Sequence, residues 1–226
     1  MISKIDVQNF IKSNRDDKNA EFERKLIFTK YDIYGLKTNV LESYAKKLLN
    51  EQVDFKNFLP PQSYEEIVIY GILIGKCKQS AKEKVEMLKL LLPYIDNWGS
   101  CDTILSRLKN MESESEFFFS LLSNVNPFYQ RFGIVWILKY YLKIDIKKSL
   151  FLIKTTKNDD FYLKMAKSWA YAEAFIYDFD LTLKTLLNDE DDFFIIKKSI
   201  QKALESYRVT SEQKGLLRKV RENLGK

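Results

Sequence analysis

The sequence predicts an all-α protein, and three observations carry that prediction. Glycine and proline are scarce, at 7 and 4 of 226 residues, which suits helices joined by short loops better than strands and hairpins. Apolar residues recur at helical spacing nearly everywhere, and no segment reads convincingly as a strand. Helix-capping patterns stand ahead of several apolar runs. Together these give about a dozen helices of roughly 10 to 18 residues.

The elements follow in order. In "SYEEIVIYGILIGK", Ser63 and Glu66 form a capping box, so a helix begins there. Ser80 and Glu83 repeat the device in "SAKEKVEMLKLLLPYI", and Pro93 predicts a break. "NPFYQRFGIVWILKYYLK" places Pro127 in a first turn, followed by Ile134, Val135, Leu138 and Tyr141 at helical spacing. "DDFYLKMAKSWAYAEAFIYDF" and "DDFFIIKKSIQKALESY" continue the pattern, and a last helix opens at Thr210 or Ser211. Lysine-rich faces alternating with apolar faces fit helix pairs stacked side by side, the unit of α-solenoids. The internal repetition is weak, so pattern alone also leaves a globular helical bundle open. No low-complexity linker divides the chain, which reads as one domain over 1–226.

Composition narrows the chemistry. Hydrophobic residues make up 46% and charged residues 30%, enough for a substantial core. Lys plus Arg number 37 against 31 Asp plus Glu, a net charge of +6, which permits a polyanionic partner without requiring one. Histidine is absent, which removes Ser–His and Cys–His nucleophiles and imidazole zinc sites. Cys77 and Cys101 have no metal-ligand spacing and are expected to be two buried thiols in a reducing compartment. The opening "MISKIDVQNFIKSNRDD" lacks a signal-peptide core, and "IVIYGILIG" is too short to span a bilayer. A soluble, cytoplasmic protein is expected, with no metal or other cofactor and no membrane partner.

What chemistry remains rests on carboxylates, basic groups and aromatic rings. In "IDNWGSCDTI", Trp98 and Asp102 are four residues apart, so on a helix they share a face one turn apart. Trp169 follows Lys164, Lys167 and Ser168, whereas Trp136 has apolar neighbours and reads as core. Arg131 falls in the first turn of its helix beside Tyr129 and Phe132, where arginine and free backbone amides would together welcome a phosphate. Each has a plainer reading: a core indole for the tryptophans, a surface arginine for Arg131. An indole face attracts a cation and a carboxylate stabilises one, so the Trp98–Asp102 pair suits a transient positive charge. Hydrolysis of an N-glycosidic bond produces such a charge on the sugar.

In this order, the motifs resemble the DNA alkylation repair family of AlkD-like alkylpurine DNA glycosylases. "IYGLKTNVLESYAKKL" looks like the family's early Gly-Val/Ile/Leu-Lys-Thr segment, and "IDNWGSCDTI" is similar to its Asp-Asn-Trp…Asp stretch. "FYQRFGIVWILKYYL" resembles its Arg-bearing helix and "FYLKMAKSWAYAEAF" its Ala-Trp helix. "IIKKSIQKALESYRVTSEQKGLLRKVR" is similar to its closing region, so the resemblance covers most of residues 31 to 221. It implies a C-shaped α-α superhelix of HEAT-like helix pairs whose basic concave face cradles duplex DNA. It also implies removal of positively charged N3- and N7-alkylated purines without a metal or cofactor, leaving the base stacked; a monomer is expected. Trp98 and Trp169 then match the rings that pack against the lesion-bearing sugar. Asp102 matches the catalytic carboxylate, and Arg131 the arginine on the DNA backbone.

Two departures from the family pattern carry expectations. Gly99 stands where relatives often have an acidic residue, which predicts a later or looser start to that helix. "EFERKLIFTKYD" offers only Phe28 or Tyr31 for a further aromatic contact to DNA. The competing readings are a non-catalytic helical module that binds nucleic acid and a solenoid that binds a protein partner.

Overall fold

The computed structural model describes residues 2–51, 53–188 and 192–224. Among these residues there are thirteen α-helices and no strand; an isolated bridge joins Asp32 and Ser63. The helices run from six to fourteen residues. They are shorter than the periodicity implies because 3-10 and π turns take up several junctions. The chain divides into two compact units, Met1–Glu114 and Ser115–Lys226.

The first unit holds α1 (Lys4–Ser13), α2 (Asp17–Leu26), α3 (Thr38–Asn50), α4 (Tyr64–Lys76), α5 (Ala81–Leu91) and α6 (Trp98–Leu105). Its axis is α4. Ser63 and Glu66 cap that helix as the sequence predicts, and every residue from Tyr64 to Ile74 is buried. Helices α3, α5 and α6 pack around it. Ile67, Ile69, Ile72 and Ile74 have no exposed surface, and each such burial is worth about 1.5–3 kcal/mol. Gly71 faces α6 so closely that a Cβ there would collide with the Ile104 side chain. The second capping box starts α5 at Ser80, and a 3-10 turn over Leu92–Tyr94 holds Pro93 as the helix ends.

The second unit holds α7 (Ser115–Ser120), α8 (Pro127–Trp136), α9 (Ile146–Thr155), α10 (Phe161–Ala174), α11 (Phe179–Leu187), α12 (Phe193–Glu205) and α13 (Ser211–Asn223). Helix α10 is central and packs on α8, α9, α11 and α12, while α13 covers α12. Pro127 and Thr210 mark helix starts as predicted. Asp192 caps α12, and Asp191, which opens the same predicted stretch, lies outside the described residues. Trp136 is fully buried and stacked on Phe118 at 4.2 Å, the core role its neighbours imply. After Trp136 the α pattern gives way to a π turn over Ile137–Tyr141, closed by the Leu142 N–H donating to the Ile137 carbonyl at 3.0 Å.

One thiol departs from expectation. Cys101 is buried, but Cys77 is half-buried, because α4 ends there and its Sγ turns back to the Ile74 carbonyl. No described helix is long and apolar enough to cross a membrane.

Candidate functional site

Trp98 and Asp102 both lie on α6, one turn apart and both half-buried. Asn97 caps the helix: its Oδ1 accepts from the Ser100 N–H at 2.9 Å. The helix therefore begins at Trp98, and the expected later or looser start is wrong. The reason is packing. A Cβ on Gly99 would lie 2.8 Å from Ile27 Cδ1 and 3.0 Å from the Tyr64 hydroxyl. The glycine lets the first turn of α6 press against both groups, and a larger residue would force them apart.

The Trp98 indole is anchored. Its Nε1–H donates to the Leu26 carbonyl at 3.0 Å, at the end of α2. The strand-like segment after α2 is tied to the same place. Asp96 accepts from the Thr29 hydroxyl at 2.7 Å and from the Lys30 N–H at 3.0 Å. Of the two aromatic candidates on that segment, Phe28 is 74% exposed. Tyr31 is half-buried, with Lys30 over its ring, and burial together with Asp96 pushes its hydroxyl up to about 12.

Beneath α6 lies a group of acids the sequence does not flag. Glu65, fully buried at the start of α4, accepts the backbone N–H groups of Tyr34 and Gly35 at 2.8 and 2.7 Å. Burial and the Glu65 charge push the Glu23 carboxyl up to about 7. Burial, with Glu23 and Glu65 next, also raises the Tyr64 hydroxyl far above the ordinary phenol range, and Asp102 adds a smaller push.

Arg131 and Trp169 belong to the second unit, on the packed helices α8 and α10. Arg131 is the fifth residue of α8, so it lies beyond the first turn, and it is neither at the helix mouth nor on the surface. Only 5% of it is exposed, and its Nη1 donates to the Tyr162 carbonyl at 2.7 Å, linking α8 to α10. The side chain of Asn126 satisfies the Phe128 N–H at that helix start.

Trp169 is half-buried and borders a cleft of about 310 Å³ lined also by Glu173, Lys202, Tyr207 and Arg208. The nearby lysines named from the sequence turn elsewhere. Lys164 pairs with Asp159 and Asp192, and Lys167 is buried with its ammonium donating to the Thr156 carbonyl at 3.0 Å. The cation on the Trp169 ring comes instead from the π turn: Lys139 Nζ lies 5.4 Å from the ring centroid. No sequence spacing links residues 139 and 169, so only the fold could reveal that contact.

Among the described residues no group of three or more acidic or cysteine side chains is placed to hold a metal ion. What the two sites present is indole rings, carboxylates and cationic groups. No curated protein matches the chain. The model of the family described as DNA alkylation repair enzyme matches residues 7–214, and with that span covered the chain belongs to this family.

Proposed function

We propose that the protein is a DNA glycosylase that excises positively charged N3- and N7-alkylated purines from duplex DNA, an early step of base excision repair. The observation that carries this reading is the placement of Trp98 and Asp102 on one turn of α6 in a chain of the DNA alkylation repair enzyme family. The C1′–N bond breaks with its electron pair moving onto the cationic base, which leaves neutral. Water then adds at C1′ and gives up a proton to solvent. A cationic base needs little acid catalysis, so a chain without histidine can serve. Asp102 opposes the charge developing on the sugar, while Trp98 and Trp169 pack against it. Phe28 is the open aromatic side chain for a further DNA contact. For Arg131 the support is the family match, because protein encloses its guanidinium.

The four residues are divided between the two units, so this reading requires residues 1–226 to act as one domain on one duplex. No metal or cofactor takes part, and the working form is a monomer acting in the cytoplasm. The non-catalytic alternative draws on the net positive charge and on the departures at Gly99 and near the N-terminus, and of these the Gly99 departure does not delay α6, which starts at Trp98. Incubation with duplex containing N7-methylguanine, followed by measurement of free base, tests the reading. Release no faster than the spontaneous rate, by folded protein that binds the duplex, would defeat it.

A further inference from the structure

Lys139 is the one cation found over the Trp169 ring among the described residues, and its position needs a cause. It lies in the middle of the π turn over Ile137–Tyr141. A π turn admits an extra residue into the helical ladder and so re-aims its side chains, and such turns are frequent at functional sites. Here the turn keeps Ile137 and Leu138 in the core while leaving Lys139 half-buried beside α10. No described carboxylate forms an ion pair with its ammonium, in contrast to Lys164 with its two aspartates. The indole face of Trp169 is the partner of its ammonium.

A conflict follows, and it rests on the reading that Trp169 meets the sugar of a cationic lesion. A second positive charge at that ring face repels the ammonium, so Lys139 is displaced as charge develops on the sugar of a cationic lesion. DNA supplies both the incoming cation and a phosphate that can receive the ammonium. We infer that Lys139 is a phosphate-binding residue held in reserve on the Trp169 indole, covering that face in the free protein and moving to the DNA backbone on binding. The cover makes the indole available to a cation that arrives with a phosphodiester and less available to a small cation in solution.

The test compares wild type, Lys139→Met and Lys139→Arg on a duplex containing N7-methylguanine over a series of salt concentrations. Each phosphate contact contributes about 0.9 to the slope of log K against log salt. Lys139→Met should flatten the slope by about that amount, and Lys139→Arg should keep it. In a Trp98→Phe background the remaining Trp136 is fully buried, so the accessible emission is that of Trp169, and its quenching by the cation N1-methylnicotinamide should rise roughly twofold or more in Lys139→Met, the counterpart of losing an exposed cation–π contact. An unchanged salt slope overturns the phosphate assignment, and unchanged quenching overturns the cover. Loss of base release with the slope difference intact would remove the glycosylase reading and leave Lys139 standing. Base release with an unchanged slope would do the reverse. Wild type that binds no duplex would overturn both.

Discussion

Trp98 and Trp169 are both half-buried indoles, yet different forces hold them. Trp98 is fixed through its N–H to the Leu26 carbonyl, on a helix whose first turn is pressed against Ile27 and Tyr64. Trp169 has a lysine over its ring and an open cleft at its border. The first is a finished surface with its acid one turn away; the second is covered by a group that can move. A hydrogen bond with fixed geometry preorganises a ring, whereas a cation on a flexible stem only occupies it.

The largest test of this contrast is Asp102→Asn. Removing the only carboxylate of the anchored pair should lower base release by on the order of 100-fold in single-turnover assays. Duplex affinity should stay nearly constant. If Asp102→Asn kept full activity, the anchored site would lose its chemical role. Next comes Trp98→Phe, which deletes the indole N–H and leaves the Leu26 carbonyl without that donor. It should cost about 1 kcal/mol of stability and lower the melting temperature by about 2–4 °C. Trp169→Phe, which breaks no such bond, should shift the melting temperature less than half as far. Equal shifts would erase the distinction.

An effect of similar size belongs to the acids beneath the anchored site. Glu23 ionises near 7 in the folded chain against an ordinary value of 4.5, so the folded state binds more protons between those values. Stability must therefore fall as pH rises through that window. Because Glu23 is partly exposed, the change is discounted to roughly 1 kcal/mol. Urea midpoints at about pH 5 and pH 8 should differ in wild type and converge in Glu23→Gln.

Local signals were legible in the sequence, and long-range ones were not. Ser63 with Glu66, Ser80 with Glu83, Pro127 and Thr210 act within one helical turn, so their effects appear in the order of residues. The i,i+4 placement of Trp98 and Asp102 is local in the same way. Arg131 escaped because its burial depends on Tyr162, a partner thirty-one residues away. Gly99 predicts a later or looser helix start in sequence terms because Ile27 and Tyr64, which pack on it, come from other elements. The π turn hides within an apolar run, where five residues at a wider period look the same as five in an α-helix. Lys139 and the Glu23–Glu65 pair are products of packing, and no short motif announces them.

The contact between Gly71 and Ile104 has a mechanical consequence. With no side chain between them at that point, α4 and α6 cannot slide past each other without a steric clash, and α4 is sheathed on all sides. The acid on α6 is in effect bolted to the keel of its unit. The backbone that carries Asp102 therefore has little travel of its own.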